Sequence, residues 1–206
     1  MSTATAGSLP ARHYWDRLVD DQGRWRDGAP PGEALSALRR GFDSEPGSVP
    51  GMWPFYTTLT GDGRVTASLR AEHLALAMFG LHQQSQSAPM HRAGDGLGKA
   101  MARLRASERY SADAIDRRFT QAATATDLDE LGHHVRGLTT MLKTIAPPQP
   151  IDYTRLFQDL CDWQRPDLVG RVRRRWGSDY FRLRSNPAEP GDPRPSTASS
   201  AGKDRS

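Results

Sequence analysis

Three short stretches of this chain carry residue types that do chemistry elsewhere. In "AGDGLGKA", residues 93–100, glycines lead into Gly98-Lys99 as they do in a phosphate-cradling loop. That loop needs a glycine five residues before its last one, a Ser or Thr after the lysine, and a strand ahead of it. Ala93 and Ala100 stand at those positions and a polar segment precedes them, so no nucleotide loop is expected. In "DELGHH", Glu130 and His133 have the i, i+3 spacing with which bundle helices offer ligands to a di-metal centre. Such a centre needs a second pair and two further glutamates. Only Glu72 and His73 lie on another helix, at adjacent positions that point different ways, so no metal site is expected. Cys161, beside Leu160 and Trp163, reads as a small core residue. Nothing assembles a nucleophile, a base and an oxyanion holder. The chain is read as non-catalytic, with no cofactor and no small-molecule substrate.

Arginine is the stronger signal. Of 28 basic residues 25 are Arg and 3 are Lys, against 24 acids, for a formal charge of +4. A guanidinium fork meets a phosphate or carboxylate at two points and stacks on bases. Residues 165–184 alone hold seven Arg and two Asp. There Leu168, Val172, Trp176, Tyr180 and Leu183 lie along one side of a helix. Arg171, Arg175 and Arg182 form a neighbouring strip, with Arg173 and Arg174 further round. Over 111–124, Ile115, Phe119 and Ala122 face inward, Arg117 sits nearly opposite and Arg118 on the shoulder. Arg136 and Lys143 share a face of the next helix with Thr140 between them, and "MARLRASER" adds Arg103, Arg105 and Arg109.

The nucleic-acid-binding candidates are Arg103, Arg105, Arg117, Arg118, Arg136, Lys143, Arg171 and Arg175, followed by Arg39, Arg40, Lys99 and Arg174. Arg39 and Arg40, in "ALRRG", suit a protein–protein contact equally well. Each phosphate neutralised releases counterions, so several weak contacts add up to binding that tolerates any sequence. No recognition helix or zinc spacing suggests base reading. The competing view makes these solvated faces, some pairing with Asp113, Asp116 or Asp179. The binding view requires the folded helices to gather their cations into one continuous surface.

The elements that position these residues read as helices nearly throughout. Tyr14, Trp15, Leu18 and Val19 follow helical spacing after "SLP", where Ser8 suits a cap and Pro10 a first turn. "PGEALSALRRG" predicts a short helix stopped at Gly41, and "MWPFYTTL" a brief helix begun at Pro54. "LRAEHLALAMFGL" is apolar almost all round, which places it at the centre of a bundle. After the loop "QQSQSAPMHRAGDG", amphipathic helices are expected near 97–107, 111–124 and 127–145. The third carries the stripe Leu128, Leu131, Val135, Leu138, Leu142 and Ile145, and "APPQP" ends it. "IDYTRLFQDLCDW" and "RPDLVGRVRRRWGSDYFRLR" form the last two. The class is all-α: two packed helical bundles of about eight helices, residues 9–90 and 91–184. Disordered tails are expected over 1–8 and 185–206, where Pro, Gly, Ser and charge cannot offset the entropy of ordering. No apolar run reaches the roughly 18–20 residues of a membrane span. A single Cys161 excludes an intrachain disulfide, which fits a cytoplasmic protein.

Taken in order from about residue 12 to 181, "ALRRG", "WPFY", "GLGKAMARLR", "IDRRF", "DLDELGHHVRGLTTMLK" and "IDYTRLFQDLCDWQRPDLVGRVRRRWGSDYF" resemble the CasB small subunits of type I-E CRISPR Cascade surveillance complexes. Lys99 follows Gly98 where an arginine is equally expected, which keeps the charge and loses the fork. The resemblance implies an all-helical, non-catalytic subunit of which two copies sit head to tail. It implies contacts with the backbone and large subunits and with the single-stranded DNA displaced when guide RNA pairs with its target; guide RNA is the further candidate partner. Two alternatives remain at this stage. One is a purely structural assembly subunit whose arginines meet acidic partner proteins. The other is a free-standing helical nucleic-acid-binding protein.

Overall fold

The computed structural model describes residues 12–26 and 32–182. The expectations for the two tails, for Ser8 and Pro10, and for Leu183 lie outside the described residues. Eight α-helices run in the order α1 Tyr14–Leu18, α2 Gly32–Arg39, α3 Ala67–Gln83, α4 Leu97–Ala106, α5 Ala112–Thr124, α6 Leu128–Leu142, α7 Tyr153–Trp163 and α8 Val169–Arg182. Two 3-10 turns, Arg40–Asp43 and Pro50–Phe55, lie between α2 and α3. Extended pairing among the described residues is limited to two isolated bridges, Val19 with Trp25 and His91 with Ile151. The class is all-α, as its periodicity indicates. No helix among the described residues is long and apolar enough to cross a membrane.

The all-round apolar helix is indeed central. α3 packs against α2, α6, α7 and the first 3-10 turn, and Ala71, Ala75, Leu76, Ala77, Met78 and Phe79 are all buried along it. Alanines and Gly80 let its neighbours come close. A Cβ on Gly80 would stand 2.6 Å from the Cβ of Leu38, so α2 crosses α3 almost backbone to backbone. The second tight crossing is at Gly98 of α4, where a Cβ would meet the Trp176 carbonyl oxygen of α8 at 2.5 Å. The glycine beside Lys99 thus serves helix packing, which is why "GLGKA" lacks the remaining features of a phosphate loop. One connected apolar cluster runs from Tyr14 through α3 to Tyr180. We propose the division near residue 90 as a change of layer across that shared core.

Short polar side chains start four of the helices. Thr66, Ser111, Asp127 and Asp152 each accept the N–H three residues on, satisfying donors that a first turn leaves bare. Glu130 adds to the cap of α6 by accepting from the Thr126 N–H at 2.7 Å and its hydroxyl at 2.9 Å. Its carboxylate is therefore turned to the helix start. Two boundaries differ from expectation. The turn expected at Pro54 begins at Pro50, whose fixed φ suits a first position, and Met52 N–H closes it on Val49 at 2.9 Å. Gly41 does not end its helix; it lies within a 3-10 turn, with its carbonyl held by His73 Nε2 at 2.7 Å.

The interior also holds polar groups that no periodicity announces. Glu72 of α3 is fully buried and takes His13 Nδ1 at 2.8 Å, both hydroxyls of Thr57 and Thr58, and both their N–H groups. Burial pushes its carboxyl up, but the bonds from His13, Thr57 and Thr58 outweigh burial and leave it below the ordinary value. On the same helix, His82 Nδ1 lies 3.0 Å from the Tyr153 hydroxyl, which itself donates to Met78 O at 3.2 Å. His82 Nδ1 is therefore the donor to Tyr153. Burial, helped by the charge of Lys143 and opposed by the Gln149 backbone, pushes this imidazole down to about 3.

A sign follows for stability. Between the ordinary imidazole pKa of about 6.5 and the folded value, the unfolded chain binds a proton that the folded chain refuses. Stability therefore falls as pH drops below about 6.5, by up to about 1.4 kcal/mol per pH unit for this one group. Burial lowers His73 in the same direction, against the hydrogen bonds to Gly41 and Ser44 that favour its charge. Urea titrations at pH 7, 6 and 5 should show this loss, and His82→Leu should flatten the slope without abolishing it. A midpoint that is flat with pH in the parent protein contradicts the assignment.

Candidate nucleic-acid interface

The orientation of α8 decides where its arginines point. Asp159 of α7 is only 1% exposed and accepts from the Trp176 indole at 2.6 Å and from the Arg175 guanidinium. Burial raises the pKa of this carboxyl, opposed by the Trp176 bond and by Arg175. α8 is thus pinned by two consecutive side chains on one acceptor. On the far side of its apolar stripe, the Tyr180 hydroxyl donates to Asp116 of α5. Arg105 of α4 grips the same carboxylate with Nε at 2.9 Å and a terminal nitrogen at 3.3 Å. A half-buried guanidinium is tolerable only with a carboxylate in place.

The structure therefore divides the candidate arginines and lysines. Arg175 faces the buried Asp159 and Arg105 the partly exposed Asp116; both bridge helices, so these two expected members of an outward track are engaged within the fold. Their strips border the apolar seam, and that is where a cation must find a partner inside. Arg103 is paired with Asp95 at 2.9 Å and Arg171 with Asp162 at 3.4 Å, both still exposed. Lys99 donates to the Gly94 carbonyl at 3.1 Å. Arg136 lies over the Phe42 ring at 4.4 Å and 3.8 Å from Asp43. Of the three anticipated acids, Asp116 pairs as described and Asp179 with Arg155 at 3.8 Å, while Asp113 forms no ion pair among the described residues. Arg173 is likewise occupied, over the Trp163 ring at 5.1 Å and donating to Ala125 O at 2.9 Å.

Arg39, Arg40, Arg117, Arg118, Lys143 and Arg174 have no ion pair among the described residues. Arg117 and Arg118 of α5 line a cleft of about 320 Å³ with Gln121, facing His133, His134 and Gly137 of α6. His133 also borders a cleft of about 500 Å³ on the other flank of α6, where Arg136 and Arg70 lie. Further along α6, Lys143 is lowered by burial and by the nearby charge of Arg39, so these two cations from different helices meet. The cations that stay available thus collect chiefly along α6, while those on α4 and α8 are mostly paired.

Arg70, Gln121, His134 and Gly137 were not singled out by sequence. The spacing of His134 and Gly137 in "DELGHHVRG" has meaning only once α5 is known to lie against α6. Among the described residues, no group of three or more His, Cys, Asp or Glu converges on a metal position. Glu130 caps its own helix, with its carboxylate bonded to Thr126.

The described residues thus form an all-helical fold in which Glu72, Asp116 and Asp159 are hydrogen-bonded and several cations lie outside without an ion pair. Residues 34–181 match the family model described as CRISPR-associated protein Cse2, so the chain belongs to that family. Among solved structures it is similar to CasB from Thermobifida fusca, at 26% identity and a TM-score of 0.58, covering 72% of this chain and 84% of that one. CasB from M. ruber shares the fold at 21% identity and a TM-score of 0.60, covering 78% and 90%. So does a chain of a CRISPR RNA-guided surveillance complex, at 24% identity and a TM-score of 0.52, covering 74% and 83%. No curated protein sequence matches the chain. The resemblance to CasB small subunits read from the ordered motifs is thereby established.

Strut and surface arginines should separate by stability. Asp159→Ala leaves Arg175 half-buried without its acceptor and should destabilise the fold by about 3–5 kcal/mol. Arg174→Ala should stay within about 0.5 kcal/mol of the parent. Chemical denaturation monitored by tryptophan fluorescence reads both, and equal midpoints would show that α8 is not held by Asp159.

Proposed function

We propose that this protein is a non-catalytic subunit of a CRISPR RNA-guided surveillance complex that holds nucleic-acid backbone without reading sequence. The carrying observation is the Arg117–Arg118 pair on α5, exposed, with no carboxylate partner among the described residues and none lining its cleft. Membership of the Cse2 family supports the setting, as does the fold shared with a chain of such a complex. Its partners in this reading are the backbone and large subunits, a second copy of itself, the displaced single strand and guide RNA, in the cytoplasm.

The mechanism needs no chemistry of bonds. Exchanging a DNA duplex for a guide–target heteroduplex is nearly balanced in free energy, so modest contacts with the displaced strand shift it. Arg117 and Arg118, with Arg136, Lys143, Arg39 and Arg40 along and beside α6, offer those contacts to phosphates. Arg174 adds a further one on α8. Arg103 and Arg171 contribute only after leaving Asp95, which is buried, and Asp162, which is partly shielded, so both stand behind the unpaired cations.

The assembly alternative is served by a different part of the surface. Trp53 and Leu59, 53% and 45% exposed, flank the Gly47 loop, and such a face suits a protein partner better than a phosphate chain. The two roles predict different losses. Replacing Arg117, Arg118 and Arg174 together by Ala should leave the subunit in the purified complex and weaken its hold on target DNA. For the chain alone on single-stranded DNA, the slope of log affinity against log salt should shrink by about 2, at roughly 0.7 per phosphate contact. Depletion of the triple variant from the complex, with unchanged DNA affinity of what remains, would instead assign these arginines to assembly.

A further inference from the structure

The cleft between α5 and α6 has a feature that charge alone does not call for. Its α6 wall contains Gly137, where an added Cβ would meet nothing within 4 Å. Glycine inside a helix is less favourable than alanine, and here neither a left-handed backbone nor a crowding neighbour requires it. What it provides is an open floor. Around that floor stand Arg117, Arg118 and Gln121 on one side and the rings of His133 and His134 on the other, the two rings edge to face at 5.8 Å. The carboxylate of Glu130, 3.8 Å from His134, is bonded to the Thr126 N–H and hydroxyl. The space of about 320 Å³ falls at the small end of ligand sites.

We propose that this cleft seats one nucleotide of a single strand, its phosphate on Arg117 and Arg118 and its base laid over Gly137 against the imidazoles. This rests on the nucleic-acid reading above and adds that the site takes a base as well as a charge. A backbone track made of arginines alone needs neither flat rings nor an unfilled floor. Flat bases stack on aromatic and guanidinium planes whatever their identity, so the seat is compatible with any sequence. Gln121 borders the same space with both a donor and an acceptor, which suits base edges of either kind. An acidic peptide side chain would use the two arginines and leave the floor empty.

The test uses the full chain and two fluorescein-labelled probes, a short oligothymidylate and an abasic strand of equal length. The parent should hold the abasic strand about fivefold to tenfold more weakly at one salt concentration. Gly137→Leu fills the floor without changing charge. It should reduce oligothymidylate binding to the abasic level, leave abasic binding unchanged and keep the salt slope. Gly137→Ala, which takes little space, should bind as the parent does and reports that helix α6 tolerates a side chain there; circular dichroism confirms that both variants fold. Arg117→Ala with Arg118→Ala should weaken both probes alike. If Gly137→Leu binds oligothymidylate as the parent does, the nucleotide seat is overturned and the phosphate surface stands. If the parent binds neither probe at low salt, the nucleic-acid reading itself falls.

Discussion

Asp159 carries more of this structure than its single charge suggests. A carboxylate removed from water must be matched, and α8 matches it twice, with the indole of Trp176 and the guanidinium of Arg175. Two neighbouring side chains on one acceptor fix the rotation of a helix about its own axis. That rotation buries Val172, Trp176 and Tyr180 and sends Arg174 outward. It also lays Arg173 over Trp163 and onto the Ala125 carbonyl, tying α8 to the end of α5. The surface chemistry of the C-terminal helix is thus set by an interaction hidden beneath it.

The same logic recurs at Asp116 and Glu72. Asp116 joins α4, α5 and α8 through Arg105 and Tyr180. Glu72 joins the segment before α1, the residues before α3, and α3 itself. Asp116 and Asp159 each take an arginine from the cations otherwise available outside, while Glu72 gathers His13 and two threonines. Exchanging Lys for Arg at Arg105 would keep the charge and lose the two-point grip that makes the strut stiff. Part of the bias toward arginine therefore serves bracing between helices, and composition cannot separate that part from the cations proposed to meet phosphates.

Much of the fold was legible because helical periodicity is a local property. The leucine stripe of α6, the all-round apolar α3 and the proline stop after α6 can be read in one pass along the chain. The two 3-10 turns were misplaced because their form depends on Met52 and His73 reaching Gly41 from elsewhere. For the site, periodicity correctly placed Arg117 and Arg118 on an outward face, and Arg136 and Lys143 together on one side of α6. It failed at Arg105 and Arg175, whose strips sit at the edge of the seam, where a turn of a few degrees decides between solvent and carboxylate. The cleft residues His134 and Gly137 were invisible for another reason: a concavity belongs to two helices, and neither sequence segment contains it.

Gly98 sets the mechanical character of the whole. Where α4 and α8 meet there is no room for even a methyl group, so the two helices pack almost backbone to backbone. Through Arg105 and Asp116, α5 is tied to the same pair. In the proposed role, a flexible strand would meet something closer to a ruler than a glove: the strand would give up conformational freedom on docking, and helix packing would set the spacing of its anchoring points.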